Sequence, residues 1–403
     1  GYIYSAAFQI DDARVETLEA ALEAIGEEDA ALRARLLANL GMELAWQPDS
    51  RRRFALSDEA LRIATSVGDP ATLAHVLLVR DYTINGPDNP GDRFTATTQL
   101  LDAADRLGDP VLTSRALILR FKAAMELADV AEAERCLARN RQAVGDLGQR
   151  ILTWAVMHQD ASLSVFHADP DAEAKTTAAR QFCSTLGQAD LVFFAVAPVY
   201  ALYLHQGRVG EFEELFQQWS ERTGSPMVRA IHAALLAEMG RTAAAAALFD
   251  ELATSGFAHP TDNVAWLMFM TQCAWVCARL GRADCVPQLR SALEPYADQL
   301  VVAGLAGWIG GSVALYLGLL ARTAGDWPAA DAHFAAAAAS HERIAAPAWL
   351  ARTRLEWSRM LLARAGPGDA ERADELLRHA LTGARGRGLV QIEREAADPL
   401  AAP

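Results

Sequence analysis

LGLLARTAGDWPAADAHFAAA, the stretch from Leu317 to Ala337, reads as two helices folded back on one another. Leu317-Gly318 belongs to the first helix and Gly325-Asp326-Trp327 ends it, because glycine takes the left-handed position at a helix end and aspartate caps the helix that follows. Ala330, Phe334 and Ala337 then fall on one face of the second helix. Alanines there let the two helices approach closely, and the phenylalanine fills the space toward the next pair.

Working outward, the same punctuation returns. Val67-Gly68-Asp69-Pro70 and Leu107-Gly108-Asp109-Pro110 each supply a helix stop, a cap and a proline suited to a first turn. Similar breaks fall at Gly207, Gly240, Gly281, Gly325 and Gly366. Partial matches to the second-helix pattern follow Ala128-Asp129 (Ala133, Leu137), Gly240 (Ala245, Phe249) and Gly368-Asp369 (Ala373, Leu377, Ala380). Between the breaks the chain is amphipathic: Leu32, Leu36, Leu37, Leu40 and Leu44 make one apolar stripe. Pro198 lies inside the apolar run Leu191–Leu204 and should kink or break that helix.

The period of about 33 to 44 residues and the order of motifs resemble the tetratricopeptide (TPR) repeat. The expected fold is all-α: a TPR-like α-solenoid, a right-handed superhelix of about nine or ten helix pairs in one curved array. No sheet is expected. Residues 1–110 are the degenerate N-terminal repeats, with inserts at Trp46-Gln47-Pro48 and Asn85-Gly86-Pro87. Residues 111–390 are the regular ones and 391–403 a tail.

Composition narrows function. The chain has 403 residues, 52% of them hydrophobic, enough for a repeat array or several domains. With 37 basic and 51 acidic residues the net charge is −14, which disfavours direct nucleic-acid binding. Lys122 and Lys175 are the two lysines; arginine carries the remaining basic charge, a bias that fits a GC-rich bacterial genome. Five cysteines, an odd number, argue against a disulfide framework and for a reducing, cytoplasmic setting. The start, Gly1-Tyr2-Ile3-Tyr4, has neither an initiator methionine nor signal-peptide character, so the segment is expected to begin inside a longer polypeptide. Leu300–Ala321 carries no charge, but its glycines (Gly304, Gly307, Gly310, Gly311) weaken a spanning helix, and no membrane segment is expected.

The paired punctuation, Leu252-Ala253-Thr254-Ser255-Gly256-Phe257, Leu300-Val301-Val302-Ala303-Gly304, Tyr316–Ala321, Ala348-Trp349-Leu350-Ala351-Arg352-Thr353 and Gly388-Leu389 together resemble the helical-repeat region of large bacterial signal-transduction ATPases. These are the STAND/AAA-type regulators: LuxR-type proteins related to the maltose-regulon activator, and actinobacterial ATPases linked to nucleotide cyclases. The resemblance implies a non-enzymatic sensor of a small-molecule inducer or of a protein or peptide partner, serving transcriptional or signalling control. A pure protein–protein scaffold without a small ligand is the alternative. The chain holds no GxxxxGK[ST] loop and no helix-turn-helix domain after residue 390. No cofactor is therefore assigned to it, and ATP belongs only to an attached ATPase module.

No constellation points to catalysis or to a metal. Cys273, Cys277 and Cys285 lack CxxC spacing, and the nearest histidine, His259, is distant in sequence; packing thiols are expected. His333 and His341 stand eight apart. Glu213-Glu214, Glu27-Glu28 and Asp11-Asp12 suit helix N-termini. Arg51-Arg52-Arg53 and Arg385-Gly386-Arg387 suit solvated helix ends. If the first helix of each pair lines a concave face, that face carries Arg115, Lys122, Glu126, Phe194, His205, Met268, Thr271, Trp275, Arg279 and Arg322 as candidate contacts to a ligand or partner. The charged Arg115, Lys122 and Glu126 are placed at the surface, whereas Met268 and Trp275 also suit packing between repeats.

Overall fold

A computed structural model describes residues 10–26, 28–45, 47, 49–188, 191–258 and 264–397. Glu27, Trp46, Pro48, His259, the opening Gly1–Tyr4 and the end of the tail lie outside the described residues. The chain divides into two compact units. Unit 1 is Gly1–Val156 with Leu186–Leu191 and His259–Trp266; unit 2 is Met157–Thr185, Val192–Ala258 and Leu267–Pro403.

Unit 1 contains α1 (Asp12–Ile25), α2 (Ala30–Glu43), α3 (Arg51–Val67), α4 (Pro70–Thr83), α5 (Pro90–Leu107), α6 (Pro110–Glu126) and α7 (Val130–Val144), and α8 (Arg150–Phe166) begins in it. Helices adjacent in sequence pack together, and α2 also packs on α4, and α4 on α6. That nearest-neighbour stacking is how helical repeats bury apolar faces that no pair could bury alone. One core layer joins Ala34, Leu37 and Ala38 to Ala60, Ile63, Ala64, Val76 and Val79.

The capping reading holds where it is strongest. Gly68 and Gly108 take left-handed φ of 71° and 60°. Asp69 accepts from the Thr72 amide at 2.9 Å, and Asp109 from the Leu112 amide at 3.0 Å. Each aspartate satisfies an amide that the first helical turn leaves open. At Gly366 the left-handed residue is instead Ala365 (φ 50°).

Unit 2 contains the later part of α8, then α9 (Ala172–Ser184), α10 (Leu191–Gln206), α11 (Glu213–Thr223), α12 (Pro226–Glu238), α13 (Thr242–Thr254), α14 (Trp266–Leu280) and α15 (Val286–Leu293). After a hairpin come α16 (Val313–Thr323), α17 (Trp327–Arg343), α18 (Pro347–Arg364), α19 (Asp369–Ala384) and α20 (Val390–Ala397). The fold class is all-α, a helical-repeat solenoid arrangement in which helices pack on their successors within the runs α11 to α13 and α15 to α20. At the motif that opened the reading, a Cβ on Gly318 would stand 2.9 Å from the Phe334 ring, so glycine is what lets α16 and α17 approach. α13, α17 and α19 bury one face each, whereas α12, α16 and α18 are buried over most of their length. α10 runs through Pro198 without the break that was one of the two expected outcomes. Burial of Val196, Val199, Tyr200 and Leu202 around it offsets the roughly 3 kcal/mol that an interior proline costs.

The second correction is a sheet. Leu300–Ala303 (β1) and Trp308–Ser312 (β2) pair antiparallel, with Val302 opposite Ile309 and Ala303 opposite Trp308. Both strands are buried throughout, so neither shows the alternation of a strand with one wet face. Side chains complete the hairpin's hydrogen bonding. Trp349 Nε1 donates to the Ile309 carbonyl (3.0 Å), the Ser312 amide donates to His341 Nε2 (2.8 Å), and the Tyr316 hydroxyl donates to the Gly310 carbonyl (2.7 Å). Gln159 and Ser162 of α8 donate to the Leu305 and Gly307 carbonyls. A sheet edge inserted among helices is stable only if such groups find partners.

Candidate functional site

Both units carry ionised side chains in their interiors. In unit 1, Lys122 and Glu126 of α6 are 1% and 8% exposed, not at the surface as expected. α6 lies against α4, α5 and α7, which leaves little of it to solvent. Lys122 Nζ donates to Glu126 Oε1 (2.6 Å) and to Asn85 Oδ1 (2.9 Å), and Arg93 Nη2 donates to Glu126 Oε2 (2.6 Å). Burial works to raise the Glu126 carboxyl, but Arg93 and Lys122 outweigh it and hold it below its ordinary range. Asp81 is buried beside them, and neither carboxylate oxygen has a hydrogen-bond partner; burial pushes its pKa up. Arg115 stands half-buried on the same helix and makes no hydrogen bond among the described residues.

The larger cluster is in unit 2, where Trp275, Arg279 and Arg322 come together. Glu238 Oε1 accepts from Trp275 Nε1 (2.8 Å) and Arg279 Nε (3.0 Å). Arg279 also reaches Glu356 (3.4 Å) and Glu395 (3.7 Å). Glu356, fully buried, accepts from Arg322 Nη1 (2.7 Å) and Arg359 Nη1 (2.8 Å). Glu395 of α20 is held by Arg352 (2.9 and 3.1 Å), Arg359 (2.9 Å) and Gln391 (2.7 Å). Burial opposes ionisation of both carboxyls, but the surrounding guanidiniums win: Glu356 falls far below its usual range and Glu395 to about 2. The guanidinium carbons of Arg279 and Arg352 lie 4.8 and 5.5 Å from the Trp275 ring centroid, within cation–π reach.

Beside this network is a cleft with walls from six elements. Tyr200 and Leu204 (α10), Ala234 and Glu238 (α12), Gln272 and Trp275 (α14), Trp308 (β2), Tyr316 (α16) and Trp349 (α18) line about 290 Å3 of space up to the open mouth. Only about 10 Å3 of it is wide enough for the centre of a water molecule, room for about one ordered water. The rings pack on one another, Tyr200 to Trp308 at 5.4 Å and Trp308 to Trp349 at 6.4 Å between centroids. The hairpin thus delivers one wall of the cleft.

His205, Thr271 and Phe194 each touch neighbours within unit 2. His205 is buried edge-on to Trp349 at 5.1 Å, and burial with Arg352 nearby drives its pKa down to about 3, so its ring is neutral. Thr271 Oγ1 donates to the Leu267 and Met268 carbonyls of its own helix. Met268 is buried, and Phe194, half-buried, lies where a Cβ on Gly304 would be 3.2 Å from its ring. The sequence reading missed Glu238, Gln272, Tyr200, Trp308, Tyr316, Trp349, Arg352, Glu356, Arg359 and Glu395. A signal existed: Trp349, Arg352, Glu356 and Arg359 share one face of α18, as do Gln272, Trp275 and Arg279 on α14. Among the described residues no group of three His, Cys, Asp or Glu could hold a metal, and no helix is long and apolar enough to cross a membrane. Cys273, Cys277 and Cys285 are buried and unpaired, and burial raises their thiols.

No protein-family model and no curated protein matches the chain. Among solved structures, a circular tandem repeat protein with novel repeat topology and enhanced subunit contact surfaces aligns over 94% of this chain and 91% of its own, at 14% identity and a TM-score of 0.24. The likeness is too slight to argue from; the class, a helical-repeat protein, rests on the helix packing described above.

Proposed function

We propose that the chain is a non-enzymatic sensing module of a signalling or transcriptional regulator, with its ligand-responsive site on the inner helices of unit 2. One observation carries this reading. A cleft with aromatic walls contains Glu238, and Glu238 is coupled through Arg279 to Glu356 on α18 and Glu395 on α20. A ligand that bonds to Glu238 competes with Arg279 for the same carboxylate. Any shift of that guanidinium changes the balance of charge on α18 and α20, so binding and helix packing are linked. Buried polar networks suit such a role because they have few acceptable arrangements.

Isothermal titration of the full chain against a panel of small polar metabolites and peptides tests the reading. A binder whose affinity falls at least tenfold in both Trp275→Leu and Arg279→Gln supports it. Binding that both variants leave unchanged removes the inner face of unit 2 as the sensing site.

A further inference from the structure

The repeat in unit 1 aligns more than helix caps. Asp29, Asp69 and Asp109, forty residues apart, each accept from the amide three residues on, at 2.9, 2.9 and 3.0 Å. They therefore start α2, α4 and α6 in one register. Six residues beyond each cap stand Arg35, His75 and Arg115. Because α2 packs on α4 and α4 on α6, equivalent positions on the three helices form a row. Asn39, one turn beyond Arg35, has its Oδ1 3.0 Å from His75 Nε2, so that face of α2 is turned toward the imidazole. All three side chains of the row are half-buried.

The two guanidiniums in this row are short of acceptors. Arg35 Nε is buried without a hydrogen-bond partner, and its Nη2 stands 3.9 Å from Asp69. That carboxylate is already committed to the Thr72 amide and hydroxyl, at 2.9 and 2.6 Å. Arg115 has no hydrogen bond or ion pair among the described residues. Both arginines act on the ring between them: burial first, then Arg35 and Arg115, push the His75 pKa below its ordinary value. Arg115 acts also on Tyr82, two turns further along α4. Positive groups gathered without a carboxylate of their own, in a chain of net charge −14, lack an anion.

The donors decide which anion fits. A carboxylate has two oxygens, and a single guanidinium fork satisfies both. Two guanidiniums and an imidazole call for three acceptors, the number of terminal oxygens on a phosphate monoester. With Nε2 donating to Asn39, Nδ1 is the His75 nitrogen left to take up a proton and donate to the anion.

We propose that Arg35, His75 and Arg115 form a binding site for a phosphate group, free or carried as the monoester of a small metabolite. Each guanidinium donates to one terminal oxygen, and His75, protonated at Nδ1, donates to the third. The site lies wholly within unit 1, so it stands or falls independently of the sensing site proposed for unit 2.

The test uses the full chain at constant ionic strength, with inorganic phosphate, glycerol phosphate and acetate as probes. Titration calorimetry gives the affinities, and NMR of the His75 ring, assigned through His75→Gln, gives its titration. Phosphate or glycerol phosphate is expected to bind saturably, about tenfold tighter than acetate, and to raise the His75 midpoint by about one pH unit. Arg115→Gln, which breaks no existing pair, should weaken binding about tenfold, and Arg35→Gln likewise; the Arg115 variant carries the test if the Arg35 variant does not fold. The tighter of inorganic and glycerol phosphate identifies the source, and either supports the site. Acetate binding as tightly as phosphate overturns the ligand class. No saturable binding, affinity that Arg115→Gln leaves unchanged, or a His75 midpoint that saturating phosphate does not move overturns the site.

Discussion

Replacing Glu356 by glutamine tests whether the unit 2 network is held by charge. Glu356 is fully buried, and three guanidiniums converge on it: Arg322 at 2.7 Å, Arg359 at 2.8 Å and Arg279 at 3.4 Å. At an effective dielectric near 20, each such contact has a gross attraction of about 5 kcal/mol. Desolvation of the carboxylate and repulsion among the guanidiniums take back much of that. What remains is the penalty for removing one partner of a buried ionic group, about 3–5 kcal/mol. For a unit of this size the loss lowers the transition by roughly 6 to 20 °C. Calorimetry of the full chain reads it, with the two units treated as separate transitions if they resolve. The pH dependence gives a second reading. Glu356 and Glu395 bind protons more weakly folded than unfolded, so their contribution is complete above the ordinary glutamate value of 4.5 and is lost as pH falls toward about 2. Glu356→Gln should therefore lose stability at neutral pH and show a shallower decline across that acid window. A loss below about 1 kcal/mol with an unchanged acid slope would refute the reasoning, because it would mean that the guanidiniums are solvated and indifferent to the charge.

Unit 1 supplies a prediction of opposite sign. Asp81 has its pKa raised by burial, with Arg93 and Lys122 opposing and Glu126 adding, so its contribution is complete below the ordinary value of 3.8 and declines as pH rises. Asp81→Asn should stabilise unit 1 by about 1–2 kcal/mol at pH 7, the gain shrinking as pH falls toward 4 in urea titrations; destabilisation would show that the ionised carboxylate is well paired. In the hairpin, a Cβ at Gly307 would stand 2.3 Å from His158 Nε2. Gly307→Ala should therefore cost about 1–3 kcal/mol and speed hydrogen exchange at the Ser312 amide, whereas wild-type exchange would mean that α8 yields without loss.

What the sequence disclosed follows from which forces leave a local trace. Helix caps do: Gly68-Asp69-Pro70 and Gly108-Asp109-Pro110 act through neighbours two or three residues away, and the structure uses both as written. Close helix pairing does too, since Gly318 and Phe334 are read from one short motif. The hairpin left no such trace. Leu300–Ala303 is apolar on both faces, and the four residues between the strands carry no Asn-Gly or Asp-Gly pair. Its strand hydrogen bonding is completed by Tyr316, six residues beyond Gly310, and by partners on α8, α17 and α18 that are 29 or more residues away.

The charged interior was misread for a different reason. A polar residue at helical spacing is usually a solvated face, and Arg352, Glu356 and Arg359 satisfy that pattern while pointing inward. Periodicity reports that a helix has two faces; it does not say which one meets water when both the apolar and the ionic face are covered. On α18, Trp349 continues the ionic face into the cleft, so one helix presents a ring to the pocket and charges to the relay behind it. Stability alone gives little reason to keep such an arrangement, because well-packed apolar residues of similar volume would often do as well or better. On α18 three positions along one face, Arg352, Glu356 and Arg359, depart from that economical choice. The arrangement can be tested directly: replacing Arg352 by leucine leaves Glu395 buried with one guanidinium fewer and should cost about 3–5 kcal/mol in calorimetry of the full chain, whereas an unchanged melting transition would mean that Arg359 and Arg279 hold Glu395 without it.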